Sequence, residues 1–283
     1  MKEALQVLSL GAGVQSTTLL LMSCKGVLPK LDAAIFADTQ WEHPDLYVHL
    51  KWLTDEAERH NIPLHVVTAG SLRKHTLHGF VRGKRLDKPY ASLPLYVVSP
   101  SGSQGMIRRQ CTREYKADPV EKYTRRSLLG LAKGERAPIG AVDHWFGISS
   151  DEPRRMRQSD KRWKRHVYPL CGIPERMLDR PYTRQMCVEW LHLNYPGHNV
   201  PRSSCIGCPY HTNAEWRYVR KNETAWADVL EIDEAIRHAD EMNGTVYLHR
   251  SCTPLVEVDL RNDEEKGQHT FGWDDECLGY CGT

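Results

Sequence analysis

Residues 8–22 read LSLGAGVQSTTLLLM, a turn rich in glycine and hydroxyl side chains between two apolar runs. The first run has the length of a strand and the second has helical spacing, so the turn joins a strand to a helix. In such a unit the glycines let backbone N–H groups approach an anion, and the dipole of the helix attracts negative charge. The stretch therefore predicts an anion site, with a capped helix start as the alternative.

The composition is that of a globular protein. Of the 283 residues, 40% are apolar and 26% are charged, which excludes disordered and fibrous classes. We find neither the apolar run of a signal peptide nor a stretch of about 18 apolar residues, so we expect a cytoplasmic protein without membrane association. The nine cysteines are an odd number. Metal or redox chemistry therefore explains them better than a disulfide framework does.

Positive charge is concentrated in the middle of the chain. Residues 104–165 hold 16 lysine and arginine residues against 8 aspartate and glutamate residues, although the net charge of the whole chain is only +2. A basic segment of this kind predicts contact with phosphates or nucleic acid. A solvated charged surface is the alternative.

The chain alternates between strand and helix patterns. Apolar runs at 4–10, 31–37 and 63–67 predict strands, and helical spacing at 16–24 and 44–60 predicts the helices between them. Such alternation is typical of parallel strands joined by crossover helices.

The rest of the chain continues this pattern less regularly. The sequence predicts an irregular segment at 70–110 and a further strand at 144–149. It also predicts four further helices, at 119–132, 181–194, 212–221 and 225–242. We expect a doubly wound, mainly parallel α/β sheet. Its larger domain spans 1–195, and a small cysteine-rich C-terminal lobe spans 196–283.

Several motifs, in order along the chain, resemble one protein family. GAGVQS at 11–16 resembles SGGxDS, the PP-loop of the N-type ATP pyrophosphatase superfamily. Further stretches are similar to the phosphoadenosine phosphosulfate reductase-like branch of that superfamily: FADTQWEHPDLYVHL, RRQCTREYKADPVEKY, WFGISSDEPRRM, YPLCGIP, RSSCIGCPYHTNAEW and ECLGYC. The resemblance implies an adenine nucleotide alpha hydrolase-like fold.

The resemblance also implies that the loop binds ATP with Mg²⁺. The nucleotide-binding residues expected from it, in the loop and at the end of the second strand, are Ser9, Gly11, Gly13, Gln15, Ser16, Thr17, Asp38 and Thr39. An N-cap for the next helix is the alternative role for Asp38. This loop departs from the family pattern at Gln15, which stands where the family has an aspartate, so it lacks a carboxylate.

Basic side chains in the family-like motifs are expected to neutralise the leaving pyrophosphate. The candidates are Arg109, Lys116, Arg154 and Arg155. Surface charge, or ion pairs with Asp151 and Glu152, is the alternative role for these side chains.

The cysteines predict a metal centre. Cys205 and Cys208 form a CxxC pair, which needs further ligands. The resemblance gives Cys111 as a third ligand. We favour a [4Fe-4S] cluster on these three, with the fourth position open to sulfide, substrate or a tail cysteine. The other arrangement is Zn²⁺ on the CxxC pair with Cys277 and Cys281, which leaves Cys111 as a redox or persulfide-carrying thiol.

These features lead to one principal hypothesis and two alternatives. The principal one is an ATP-dependent sulfur transferase with Cys111, Lys116, Arg109 and Arg155 as catalytic residues. It adenylylates a nucleic acid (tRNA or DNA), a nucleobase or a modified-base precursor, and a donor such as a cysteine desulfurase supplies the sulfur. The alternatives are a sulfonucleotide reductase with a tail thiol as nucleophile, and a nucleotide-binding accessory subunit of a modification complex. A homodimer is among the expected assemblies.

Overall fold

The fold is built from short strands, which occur between residues 5 and 247. The computed structural model describes residues 4–78, 80–81, 84–85, 92–237, 244–262 and 265. Its strands are β1 (Leu5–Leu10), β2 (Ala33–Asp38), β3 (Leu64–Thr68), β4 (Phe80–Val81), β5 (Lys84–Arg85), β6 (Tyr96–Val98), β7 (Gln104–Met106), β8 (Val142–Phe146), β9 (Lys164–Val167) and β10 (Thr245–Tyr247).

In the described part of the chain, seven α-helices connect or cover these strands. They are α1 (Val14–Cys24), α2 (Pro44–Arg59), α3 (Leu72–His78), α4 (Asp118–Tyr123), α5 (Arg184–Asn194), α6 (Asn213–Arg220) and α7 (Glu223–Ile236). Two π-helical segments, Thr112–Ala117 and Thr124–Leu128, extend α4 at its ends. Within the described ranges, none of the helices has the length and apolar character needed to span a membrane.

The central sheet has five strands in the order β3-β2-β1-β8-β9, and every neighbouring pair is parallel. The protein is thus an α/β protein with a mainly parallel sheet and helices, consistent with a doubly wound fold. Because β2 and β8 lie on opposite sides of β1, the chain leaves β1 at the point where the strand order reverses. In open α/β sheets this point is where ligands bind.

Apolar side chains cover both faces of the central sheet. On one face Trp145 of β8 is fully buried with residues of α1 and α5, among them Leu20 and Leu191. On the other face Val7 and Val142 pack with Val120 of α4. Burying a side chain of this size contributes about 1.5–3 kcal/mol, so both layers stabilise the sheet.

A second apolar core lies outside the central sheet. It holds the fully buried Trp216 together with Leu95, Val229 and Val246. Beside it, β10, β6 and β7 form a three-stranded antiparallel sheet. This core therefore combines segments from both sides of residue 195, where the sequence predicts a domain boundary.

The strands and crossover helices of the first 70 residues confirm the predicted alternation, as does β8. The helix predicted at 119–132 instead runs from Thr112 to Leu128, because π-helical turns carry it past both ends of α4. Residues 70–110 contain α3, β6 and β7 rather than irregular structure alone. The sequence does not predict strand β9, because its residues KRHV are basic. In the structure Arg165 pairs with Asp143 and Lys164 pairs with Glu121, which compensates these charges.

A buried histidine connects the first two helices. His49 of α2 is 2% exposed, and its Nε2 shares a hydrogen bond of 3.0 Å with Oγ1 of Thr17 in α1. Its Nδ1 lies 2.8 Å from Nε2 of His198. Burial, with a smaller effect of the neighbouring His198, lowers the pKa of His49 to about 4.

Because the pKa of His49 is lower in the folded chain than in the unfolded chain, protonation favours unfolding between about pH 6.5 and pH 4. We expect the His49→Gln variant to be less stable at pH 7 but to lose about 2 kcal/mol less free energy of unfolding between pH 7 and pH 5 than the wild type. Urea unfolding followed by tryptophan fluorescence measures this. The same change at the exposed His192 is the control, and parallel pH profiles for wild type and His49→Gln would contradict the expectation.

Candidate functional site

A cavity of about 810 Å³ opens where the chain leaves β1. The loop after β1 forms one wall, and residues of the Thr112–Ala117 turn, of β8 and β9 and of the segment 200–203 form the others. Its position at the carboxyl ends of β1 and β8 is the one expected for a ligand site in this class of fold.

The loop leaves the first N–H groups of α1 without a side-chain cap. Ala12 has a φ of 57°, and Gly13, the residue that precedes α1, provides no side-chain cap for the helix. The hydroxyl of Ser16 accepts from the backbone N–H of Gly11 at 3.2 Å and donates to the carbonyl of Gly13 at 3.3 Å. These contacts brace the loop. With no side chain capping α1, the geometry supports the anion interpretation rather than the capped helix start.

Two close contacts hold the loop from outside. A Cβ atom on Gly147 would lie 2.7 Å from the backbone nitrogen of Ser16, so only glycine fits at the end of β8. On the other side, the hydroxyl of Ser203 donates to the carbonyl of Gly11. Sequence reasoning missed both roles, although both residues lie within motifs that carry the family resemblance. A glycine after a strand gives no sign of which backbone approaches it.

A carboxylate reaches the loop from another segment. The side-chain amide of Gln15 donates to Glu152 at 3.2 Å and lies 3.4 Å from the hydroxyl of Ser149. Arg155 also donates to Glu152, at 2.7 Å. Gln15 stands where the family pattern has an aspartate, and the tertiary structure places the carboxylate of Glu152 next to Gln15. Sequence analysis considered Glu152 only as an ion-pair partner of the arginines.

Positive charge surrounds the cavity. Of the four cations predicted to neutralise pyrophosphate, Lys116 and Arg155 line it, whereas Arg109 and Arg154 are not among its lining residues. The guanidinium of Arg109 instead donates to Thr112 and lies 5.7 Å from the ring of Tyr210. Four further cationic side chains line the cavity: Arg157, Lys164, Arg184 and Arg202.

Of the predicted nucleotide-binding residues, Ser9, Gly11, Gly13, Gln15 and Ser16 line the cavity. The other three do not, and each has a different partner.

Thr17 is fully buried against His49. Asp38 accepts from the backbone of Gln40 at 2.7 Å and from the hydroxyl of Tyr47 at 2.9 Å. Asp38 is not the N-cap of α2, since His43 takes that position. Thr39 faces the cysteines instead of the cavity.

Cys205 lies in a buried polar environment. Its sulfur is 3.3 Å from Oγ1 of Thr39 and 3.5 Å from a carboxylate oxygen of Glu42. Burial raises the pKa of the Cys205 thiol well above its usual range; the charge of Glu42 adds to this, and that of Lys116 opposes it. The ammonium of Lys116 lies 3.6 Å from the same carboxylate of Glu42. Lys116 therefore belongs both to the cavity wall and to the surroundings of Cys205.

The three cysteines assigned to the metal centre lie in the same region. Cys111 packs against the apolar core that contains Cys205, and its charge contributes to the raised pKa of Cys205. Cys208 follows in a tight turn, with its N–H donating to the carbonyl of Cys205 at 3.1 Å. Gly207 in this turn lies against the ring of Trp41, where a Cβ atom would come within 2.1 Å of a ring carbon.

The donor set in this region is incomplete. Among the residues that the structure describes, no group of three or more His, Cys, Asp and Glu side chains is arranged to hold a metal ion. Cys277 and Cys281, the tail cysteines of the predicted centre, lie outside the described residues. One carboxylate oxygen of Glu42 is buried without a hydrogen-bond partner, next to Cys205.

Comparisons with known proteins add nothing to this geometry. No protein-family model matches the chain, and neither the curated proteins nor the solved structures contain a match.

Proposed function

We propose that this chain is an ATP-dependent sulfur transferase of the PP-loop class. The observation that carries the proposal is the hydrogen bond from Ser203 to the carbonyl of Gly11. Ser203 is two residues before Cys205, so this bond fixes the CxxC segment beside the loop that would bind the polyphosphate. A loop of this class and a CxxC segment that are joined by a hydrogen bond support a reaction that uses both.

In the proposed first step an oxygen of the acceptor attacks the α-phosphorus of ATP. The bond to the bridging oxygen breaks, and pyrophosphate leaves with the electron pair. The uncapped N–H groups of α1, with Lys116 and Arg155, would stabilise the charge that develops on the leaving group. A sulfur nucleophile then forms a C–S bond to the activated carbon, and AMP leaves with the former acceptor oxygen.

Cys111, Cys205 and Cys208 would hold the metal centre. Thiolates are soft ligands that suit an iron-sulfur cluster or zinc. The unpartnered oxygen of Glu42 fits this assignment, because a bound metal or its water would satisfy it. An iron-sulfur cluster with one open iron would supply a binding position for the sulfur that is transferred. The raised pKa of Cys205 implies that metal binding must displace a proton from this thiol.

The charge around the cavity supports a polyanionic acceptor. Arg157, Arg184 and Arg202 line it in addition to the two cations assigned to pyrophosphate. Side chains of this kind position a nucleic-acid backbone without reading its sequence. A nucleic acid, or a nucleobase within one, is therefore the acceptor class that we propose.

The Gly147→Ala variant tests the loop. The added methyl group would meet the backbone of Ser16 at 2.7 Å, so we expect it to displace the loop and to weaken ATP binding at least about tenfold. Calorimetry measures the binding. Pyrophosphate release is followed in anaerobically reconstituted protein, with bulk tRNA, DNA fragments and free nucleosides offered as acceptors.

Gly105→Ala is the matched control, because a Cβ atom there meets nothing within 4 Å. We expect it to bind ATP as the wild type does. If the wild type neither binds ATP nor releases pyrophosphate with any of these acceptors, the proposed function is wrong.

Glu152 is expected to bind Mg²⁺ beside Gln15, where the loop lacks a carboxylate of its own. In the Glu152→Gln variant we expect the tightening of ATP binding by Mg²⁺ to fall about tenfold, since a carboxylate is a far better Mg²⁺ ligand than an amide. Binding without Mg²⁺ should not weaken, because the variant also frees Arg155. Glu58→Gln, on the exposed side of α2, is the control. Equal Mg²⁺ dependence in wild type and Glu152→Gln would exclude this role.

The metal assignment is tested on protein purified without oxygen. We expect broad visible absorption and about four irons per chain, the content of a cubane cluster. The Cys205→Ser variant should lose most of the metal, whereas Cys252→Ser should retain it. One zinc per chain and no visible absorption would exclude the cluster and support the zinc arrangement. Full metal content in Cys205→Ser would remove Cys205 from the centre.

A further inference from the structure

The indole of Trp41 lies against the CxxC turn, and the proposed reaction does not use it. Trp41 follows β2 and is 3% exposed. Its ring is so close to Gly207 that a Cβ atom on this glycine would overlap three ring carbons. Its carbonyl oxygen accepts from the N–H of Ile206 at 2.9 Å. Trp41 therefore contacts both residues that separate Cys205 from Cys208.

The residues near Trp41 contact Cys205 itself. Glu42 and Cys205 form an antiparallel bridge. The sulfur of Cys205 lies 3.5 Å from a carboxylate oxygen of Glu42 and 3.3 Å from the hydroxyl of Thr39. The segment 39–42 thus holds the first cysteine by its backbone and by two side chains, while the indole covers the middle of the turn.

A carboxylate from another element fixes the indole. The Nε1–H of Trp41 donates to Oδ2 of Asp228 in α7 at 2.6 Å, and the other oxygen of Asp228 accepts from Arg73 of α3. Arg73 also pairs with Glu231, about one turn further along α7. A hydrogen bond to an ionised acceptor is stronger than a neutral one, so it restrains the rotation of the ring. The ion pairs between α3 and α7 are therefore connected to the CxxC turn through one side chain.

This restraint bears on metal binding, because a chelating turn must present both thiols together. Glycine has the most conformational freedom of all residues, so Gly207 is the point at which the turn would otherwise move most easily. A turn that is held in one conformation before the metal arrives loses less conformational entropy when the metal binds. Groups that hold metal ligands in place without touching the metal commonly contribute about ten- to hundredfold to metal affinity.

We propose that Trp41 is a positioning residue for the metal centre: its indole, oriented by Asp228, holds the CxxC turn in the conformation that binds the metal. That Cys205 and Cys208 bind a metal rests on the proposed function. Helices α3 and α7, which carry none of the predicted site residues, thereby become part of the support of the centre. Neither Trp41 nor Asp228 is assigned as a ligand, so a change at either weakens the centre but leaves its ligands in the chain.

Release of the metal to an excess of chelator tests this role in the full chain, purified without oxygen. We expect the metal to leave Trp41→Phe and Asp228→Ala about tenfold faster than it leaves the wild type, because the first variant loses the N–H donor and the second its acceptor. Asp228→Asn keeps an acceptor oxygen for the indole, so we expect it to restore most of the wild-type rate. Equal release rates in the wild type, Trp41→Phe and Asp228→Ala would overturn the role of Trp41.

Two controls separate positioning from stability. Glu231→Gln is the matched control for the ion pairs, since Glu231 pairs with the same Arg73 whereas the hydrogen bond of Trp41 goes to Asp228. Val246→Ala removes volume from the same apolar core and lowers the free energy of unfolding, measured in urea. We expect both controls to release the metal at the wild-type rate. Fast release in either would assign the effect to the ion pairs or to general stability and overturn the role of Trp41.

ATP binding and pyrophosphate release separate this role from the proposed function. Faster metal release in Trp41→Phe and Asp228→Ala, with a wild type that neither binds ATP nor releases pyrophosphate, supports the role of Trp41 and refutes the sulfur transferase. Pyrophosphate release with equal metal release in all variants refutes the role of Trp41 alone. A wild type that holds no metal when purified, and takes up neither Co²⁺ nor iron with sulfide, refutes both the metal centre and the role of Trp41.

Discussion

The backbone of the loop after β1 is held between two neighbours, and the functional part of the structure depends on this constraint. Gly147 approaches the backbone of Ser16 from β8, and Ser203 is hydrogen-bonded to Gly11 from the opposite side. The first contact follows from the parallel pairing of β1 with β8. The hydrogen bond from Ser203 brings a part of the chain that is distant in sequence, with its CxxC pair, next to the loop. At Gly147 a side chain would not fit without moving the loop.

Many of the charges around the cavity are already paired with one another. Arg155 is held by Glu152, Arg202 by Glu215 and Lys164 by Glu121. An incoming polyphosphate would compete for the arginines and release carboxylates, which then become available to a divalent cation. Binding of the nucleotide and of its metal ion would thus support each other.

The sequence predicted the local elements well and the tertiary contacts poorly. Strands and crossover helices of the first 70 residues follow from short-range patterns, and the Gly-rich turn forms one wall of the cavity. The approach of Glu152 to Gln15 joins segments that are 137 residues apart, and no local pattern encodes such a separation. Strand β9 escaped detection because its basic residues are compensated by Asp143 and Glu121. Thr17 seemed suited to an anion in sequence, yet the helix turns it toward His49.

The second apolar core has a consequence for the order of folding. It joins Leu95 to Trp216 and Val246, contacts that close loops of more than a hundred residues. Strands β1, β2 and β3 are close in sequence and can pair early, while the second core must wait until the chain is synthesised beyond residue 246. Until then Cys205 lacks the surroundings that bury it and raise its pKa. On a nascent chain this thiol is therefore still exposed to solvent, and it is buried only when the second core closes.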